Sequence, residues 1–180
     1  MNTQPLRIGH DLPLFKNLPG VDGKSYSASQ FRDDVLVIVF SCNHCPYVQA
    51  YEDRMISFQK DYGKKNVQLI AINSNDEVNY PDDSFAGMKE RAAQRNFNFP
   101  YLRDEDQSVA NAFGATHTPQ FFVFDKERKL RYSGKMDDNW KDPQNVKEPY
   151  LRDAVDSLLA RRRVSVSETY SIGCTIKWKG

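Results

Sequence analysis

A run of six apolar residues, Val35–Phe40, leads directly into two cysteines and a proline, SCNHCP, and then into a helical pattern. A continuous β-branched and aromatic run is typical of a strand buried on both faces of a sheet. After Pro46, apolar residues recur at spacings of three and four, which predicts one helix face that ends at Gly63. A strand, a cysteine loop and a helix in this order predict an α/β fold, whose sites form at the carboxyl ends of strands.

The remaining pattern predicts a central mixed sheet with helices on both faces. Turn formers in the first 34 residues indicate short extended pieces, such as a hairpin over one edge. The later elements are predicted as strands at 67–73, 120–124 and 130–133, and as helices at 84–96, 107–113 and from Pro149 onward. We expect one domain over residues 1–163. A tail at 164–180, to which the pattern assigns no structure, packs on or near it.

Charge and cysteine content exclude several classes of protein. The 25 basic and 24 acidic residues leave a net charge of +1, which gives no broad electrostatic reason to bind nucleic acid or an anionic membrane. Three cysteines are too few for a secreted domain that is stabilised mainly by disulfide bonds. The start of the chain has no signal-peptide pattern, and the longest apolar run, six residues, is too short to cross a bilayer. We therefore expect a cytoplasmic protein.

The pair Cys42 and Cys45 predicts thiol chemistry. The N–H groups and dipole of a helix N-terminus stabilise an anion, so we expect the pKa of Cys42 to fall from about 8.5 towards roughly 3.5–7.5. Cys45, about one turn further along, can attack a mixed disulfide and release the product. His44, between the two cysteines, would stabilise the thiolate further when charged.

Half of a zinc site is the alternative interpretation of the cysteine pair. It needs two further ligands, for which His10, His44, His117 and Cys174 are candidates. None of these forms a second paired ligand motif, so we predict no metal and no cofactor.

A second feature is Thr118-Pro119 at the start of the predicted strand at 120–124. A proline at such a position is either an ordinary trans residue at the first position of a strand or part of a tight turn with a cis bond.

The segments FSCNHCPYV, IAINSND, DEDQSVANAFGATHTPQFFVFD and GCTIKWK resemble the thioredoxin-fold redoxins. More narrowly, they resemble the CxxC-containing branch of the alkyl hydroperoxide reductase/thiol-specific antioxidant (AhpC/TSA) family, over roughly residues 8–180. The resemblance implies a thioredoxin fold, with Cys42 as an exposed nucleophile and Cys45 as the resolving thiol. It also implies a cis Pro119 that faces the cysteines and, with Thr118 and His44, positions an extended thiol substrate.

The chain departs from the thioredoxin pattern before the cysteines. Thioredoxins usually have a tryptophan where this chain has Ser41, and a buried aspartate where it has Leu36. The usual proton acceptor for the resolving thiol is therefore missing. Glu52, His44 and His117 are candidates to replace it.

A second alignment follows the peroxiredoxins. Cys45-Pro46 then matches the peroxide-reactive cysteine and its proline, and Cys42 stands where those proteins have threonine. On this alignment Cys45 is oxidised to a sulfenic acid, with which Cys42 or Cys174 condenses. A peroxidase also needs a nearby arginine, for which the candidates are Arg91, Arg95 and Arg103.

Cys174, in the tail, has two interpretations of its own. It is either a possible resolving thiol, which could also pair with another chain, or a small apolar residue in a docked segment.

We therefore predict a thiol–disulfide oxidoreductase with an antioxidant role. The alternatives are a peroxiredoxin-like peroxidase acting on hydrogen peroxide or alkyl hydroperoxides, and a non-enzymatic metal- or partner-binding module. The expected partners are a thiol, disulfide or peroxide substrate and a separate thiol reductant. No nucleic acid or membrane partner is expected.

Overall fold

The computed structural model describes residues 4–180, which contain nine strands and four α-helices. In chain order they are β1 (Leu18–Pro19), β2 (Ser25–Tyr26), β3 (Val35–Phe40), α1 (Pro46–Tyr62), β4 (Val67–Asn73), α2 (Phe85–Arg95), β5 (Tyr101–Arg103), α3 (Ser108–Phe113), β6 (His117–Thr118), β7 (Gln120–Phe124), β8 (Leu130–Gly134), α4 (Tyr150–Leu159) and β9 (Cys174–Thr175). Within these residues, no helix combines the length and the hydrophobicity that a membrane span requires.

Five strands form the central sheet, in the order β5-β4-β3-β7-β8. Strand β3 pairs parallel with β4 and antiparallel with β7, and β4 pairs parallel with β5. The predicted mixed sheet is therefore confirmed, and β1 and β2 form the expected N-terminal hairpin.

The sheet has a buried layer on each face, as the apolar run of β3 predicted. Alternate residues of β3 point to opposite layers: Val35, Val37 and Val39 pack with α1 and α4 on one face, while Leu36, Ile38 and Phe40 pack with α3 on the other. Every residue of this strand is buried. Strand β3 therefore holds the cysteine loop, which begins at its carboxyl end, on a rigid base.

Some boundaries differ from the prediction. Helix α1 ends at Tyr62, but Gly63 keeps right-handed helical geometry and begins a 3-10 turn; the left-handed residue that ends this turn is Asn66, with φ 62°. Strand β5 was not predicted, because three residues of mixed polarity carry no periodic signal and their strand geometry depends on pairing with β4.

Residues 164–180, which we name the C-terminal strap, cross the domain surface. Backbone hydrogen bonds join Ser167 and Thr169 to Ser133 at the sheet edge, each at 3.0 Å. The strap then passes to β6, where β9 pairs antiparallel with it, and Ile176 beyond is buried in the core. The first three residues of the predicted domain lie outside the described residues.

Candidate active site

Two loops bring the predicted residues together at one end of the sheet. The loop after β3 carries Cys42 and Cys45, and β6 ends in the bond Thr118–Pro119, which is cis. The Cys42 Sγ atom lies 3.5 Å from the Thr118 hydroxyl oxygen, and the Cys45 Sγ atom lies 3.5 Å from the Thr118 carbonyl oxygen. The cis bond and the closeness of these residues agree with what the resemblance implied.

The third cysteine joins the same cluster from the strap. Strand β9 sets Cys174 directly opposite Thr118 in the β6–β9 pair, and its Sγ atom lies 2.9 Å from that of Cys45. The preceding Gly173 is so close to β6 that a Cβ atom there would be 2.0 Å from the Thr118 carbonyl oxygen. The three sulfur-bearing residues thus form one cluster, with Cys45 between the other two.

The predicted lowered pKa belongs to Cys45 and not to Cys42. Cys45 is the N-cap of the 17-residue helix α1. A hydrogen bond from Cys42 is the main cause that lowers its pKa, and Cys174 and the backbone N–H of Val48 add to the effect, giving a pKa of about 4. The expectation of a lowered pKa for Cys42 was wrong, because its hydrogen bond with Cys45 and its burial raise its pKa.

The environment of Cys42 raises its pKa instead. Its hydrogen bond with Cys45 is the main cause, and burial and the negative charge of Asp83 act in the same direction. Burial also raises the pKa of Cys174, to about 11, with a further contribution from its hydrogen bond with Cys45. Within the cluster, the surroundings therefore favour the thiolate on Cys45 and the protonated thiol on Cys42 and Cys174.

Both cysteines of the CxxC pair are buried: Cys42 is 3% and Cys45 is 1% exposed. The exposure that the resemblance implied for Cys42 is therefore wrong, whereas its role as the nucleophile stays a prediction. Gly173 and Cys174 of the strap lie against β6 beside these sulfurs, and Cys174 itself remains partly exposed.

The other polar candidates are bound elsewhere. The His44 side chain is 74% exposed, and its charged partner within residues 4–180 is Asp82, at 3.8 Å. Glu52 is fully buried and accepts hydrogen bonds from the Arg91 guanidinium. His117 Nδ1 is bonded to the hydroxyl of the adjacent Thr116 at 2.8 Å. The structure therefore gives no support to His44, Glu52 or His117 as the missing proton acceptor.

Asp83 is the charged residue of the site that sequence reasoning missed. Its carboxylate accepts from the Asn43 backbone N–H at 2.7 Å and from Asn75 Nδ2 at 2.9 Å. Asn75 in turn accepts from the backbone N–H of Lys177 at 2.9 Å. Asp83 thus links the cysteine loop to the strap. No local pattern distinguished it from Asp82, the other acidic residue of its turn, Pro81–Asp83.

The three arginines considered for a peroxidase site have partners of their own. Arg91 pairs with Glu52, as described, and Arg95 pairs with Asp53 at 2.5 Å. Arg103 donates to the carbonyl oxygen of Asn75 at 2.8 Å. These side chains are therefore engaged in structural contacts.

A metal centre has no set of ligands in the described part of the chain. Among residues 4–180, no group of three or more histidine, cysteine, aspartate or glutamate side chains is arranged to hold a metal ion.

The fold is a mixed five-stranded sheet, and at one end it carries a CxxC pair beside a cis-proline. Together these features define a thioredoxin-like redox protein. The sequence matches the AhpC/TSA family over residues 8–133. The chain therefore belongs to the AhpC/TSA family, and it has a thiol-based redox function of the kind that this family performs.

Solved structures agree with this assignment. The chain is similar to an uncharacterized conserved protein from Geobacillus kaustophilus, with 39% identity, a TM-score of 0.92 and coverage of 98% of this chain and 95% of that one. A hypothetical protein from Sinorhizobium meliloti has 34% identity, a TM-score of 0.91 and coverage of 99% and 98%. The thioredoxin domain of a thiol-disulfide oxidoreductase from Bacteroides vulgatus has 14% identity, a TM-score of 0.58 and coverage of 69% and 86%, which shows a shared fold. A search of curated proteins finds no significant match.

Proposed function

We propose that this protein is a thiol–disulfide oxidoreductase in which Cys45 is the reacting thiolate and Cys42 closes the disulfide. The observation that carries the proposal is the position of Cys45 at the N-cap of α1, between two thiol donors, with a pKa of about 4. The thiolate is the nucleophile in disulfide exchange. An antioxidant role follows if the electrons are used to repair oxidised thiols.

The exchange transfers two electrons from the chain. The Cys45 thiolate attacks a sulfur of a substrate disulfide and forms a mixed disulfide, while the first substrate thiolate leaves. Cys42 then loses its proton and attacks the Cys45 sulfur, which releases the second substrate thiolate and leaves a Cys42–Cys45 disulfide. The reverse sequence oxidises a substrate dithiol, and a separate thiol reductant returns the chain to its starting state.

Disulfide mapping tests this proposal. The reduced chain is mixed with one equivalent of glutathione disulfide, quenched with an alkylating reagent and analysed by mass spectrometry. We expect a Cys42–Cys45 disulfide in the wild type, a trapped glutathione adduct on Cys45 in a Cys42→Ser, Cys174→Ser double variant and no intramolecular Cys42 disulfide in Cys45→Ser. Ser41→Ala, which keeps all three thiols, is the control. A Cys45→Ser variant that still reduces the disulfide at the wild-type rate would contradict the proposal.

Peroxide reduction is the second candidate, and the burial of Cys45 favours it. A sulfur that is 1% exposed is more easily reached by a small peroxide than by a polypeptide, and Cys45 is followed by Pro46 as the second alignment requires. The Cys45 thiolate would take one peroxide oxygen to become a sulfenic acid, with release of water or an alcohol. Cys42 would then condense with it and release water.

The engagement of Arg91, Arg95 and Arg103 in other contacts makes this the weaker of the two candidates. The measurement that separates them uses stoichiometric hydrogen peroxide and a Cys42→Ser, Cys174→Ser double variant. Rapid formation of sulfenic acid on Cys45 supports the peroxidase. Oxidation no faster than that of an ordinary free thiol supports the exchange reaction alone.

A further inference from the structure

The three cysteines differ in how much of each faces solvent. Cys42 and Cys45 are buried, whereas Cys174 is partly exposed. On the same strap, Tyr170 is 92% exposed and Ile172 is also exposed. A thiol compound that approaches this end of the sheet therefore meets Cys174 before it meets either cysteine of the pair.

The geometry also allows Cys174 to exchange with the buried pair. Its sulfur lies 2.9 Å from the Cys45 sulfur, only about 0.9 Å more than the length of a disulfide bond. The pairing of β9 with β6 holds this approach in register. A disulfide between Cys45 and Cys174 would thus form with a small local movement.

Contacts further along the strap oppose its complete detachment from the domain. Ile176 is buried in the core, and its backbone N–H donates to the Thr116 carbonyl at 3.0 Å. The Lys177 carbonyl accepts from the backbone N–H of Asp76 at 2.8 Å and from Gln107 Nε2 at 2.9 Å. A route through Cys174 is therefore easier than a route that first detaches the strap.

We propose that Cys174 is a third redox-active thiol, through which the buried Cys42–Cys45 pair exchanges electrons with an external thiol reductant. This inference rests on the proposed function and adds the point of entry. The strap then takes part in the redox reaction, and its partner is an external thiol reductant, either a small thiol or a protein dithiol.

The relay proceeds in balanced exchange steps. The position of Cys174, 2.9 Å from Cys45, directs the first attack to Cys45 although Cys42 is the poorer leaving group. Cys174, as its thiolate, attacks the Cys45 sulfur of the oxidised pair; a Cys45–Cys174 disulfide forms and Cys42 leaves, taking up the proton that Cys174 gave up. An external thiolate then attacks the Cys174 sulfur, and Cys45 leaves as a thiolate. A second external thiol, after losing its proton, attacks the sulfur of the first; the external disulfide forms, and Cys174 leaves as a thiolate that takes up a proton. Two external thiols have become one disulfide, and the protein disulfide has become two thiols.

The direction of the external attack follows from the leaving groups. A thiol with a lower pKa leaves faster in disulfide exchange, and the N-cap position of Cys45 and its hydrogen bond from Cys42 favour its thiolate. An external thiolate that breaks a Cys45–Cys174 bond should therefore attach to Cys174 and expel Cys45. Exposure and leaving-group chemistry favour the same sulfur.

Reduction kinetics of the oxidised protein test the relay. The wild type, Cys174→Ser and the strap control Ser171→Ala are oxidised, the Cys42–Cys45 disulfide is verified by mass spectrometry, and each is reduced with reduced glutathione at equal concentration. We expect reduction of Cys174→Ser to be about tenfold slower or more, because the external thiol must reach the buried pair directly. Ser171→Ala should match the wild type.

A trapping experiment does not depend on the stability of that variant. In Cys45→Ser mixed with glutathione disulfide, the relay predicts an adduct on Cys174, and an adduct only on Cys42 overturns it. The two proposals fail separately. If the wild type never forms a Cys42–Cys45 disulfide, the proposed function fails. If it does, but Cys174→Ser is reduced at the wild-type rate, only the relay fails.

Discussion

Replacement of Gly173 by alanine offers a direct test of the contact between the strap and the cysteine site. An added Cβ would lie 2.0 Å from the Thr118 carbonyl oxygen, 2.7 Å from the Thr118 carbonyl carbon and 3.3 Å from the Pro119 nitrogen. All three are backbone atoms, so no side-chain rotation relieves the overlap. Since real Cβ contacts essentially never fall below 3.0 Å, β9 and β6 must separate by about 1 Å.

The expected magnitude follows from this forced separation. Insertion of one methyl group into a packed contact costs roughly 1–3 kcal/mol. For a chain of this length, each kcal/mol lowers Tm by roughly 2–4 °C. We therefore expect Gly173→Ala to melt roughly 2–12 °C below the wild type.

The same separation should change the chemistry of the site. Cys174 would move away from Cys45, which would lose one of the two thiol donors that lower its pKa. The pKa of Cys45 should therefore rise, and the CxxC pair should become more accessible to bulky alkylating reagents.

Thermal unfolding by circular dichroism and alkylation followed by mass spectrometry measure these effects. Gly180→Ala is the matched control, because a Cβ there meets no atom within 4 Å. If Gly173→Ala melts and is alkylated like Gly180→Ala, the strap does not pack on the site as described.

Three further predictions concern charged groups, two of them in the cysteine site and one in the neighbouring Arg91–Glu52 pair. With a pKa of about 4, Cys45 should be a thiolate at neutral pH and become protonated as the pH falls through that value. The ultraviolet absorbance of this thiolate should be absent from Cys45→Ser. Thiolate absorbance that appears only above about pH 8 would contradict the assignment. Arg91→Met should lower the free energy of unfolding in urea by about 3 kcal/mol, because it leaves the buried Glu52 carboxylate without its close partner, and a loss below about 0.5 kcal/mol would argue against this ion pair. Asp83→Asn should lower the pKa of Cys42, because the carboxylate charge raises it; alkylation of Cys42 should then begin at a lower pH than in the wild type, and an unchanged onset would remove Asp83 from the site.

Much of the fold could be predicted because its signals are local. The run Val35–Phe40 formed the buried central strand, and the apolar spacing after Pro46 formed α1. Strand β5 could not be predicted in this way, because three residues acquire strand geometry only by pairing with β4.

The sequence by itself determined which atoms can react: two cysteines three residues apart, placed between a buried strand and a helix, and a proline before another strand. Only the tertiary structure decided which thiols lie in contact and how their pKa values are shifted. Cys174 is 129 residues from Cys45 along the chain, yet their sulfurs lie 2.9 Å apart, and Asp83 reaches the site from a turn with no motif. A thiol pKa depends on burial, on nearby charges and on hydrogen bonds made in three dimensions. The structure therefore lowers the pKa of Cys45. The three-residue spacing of the two cysteines in the sequence could not show which of them has the lowered pKa.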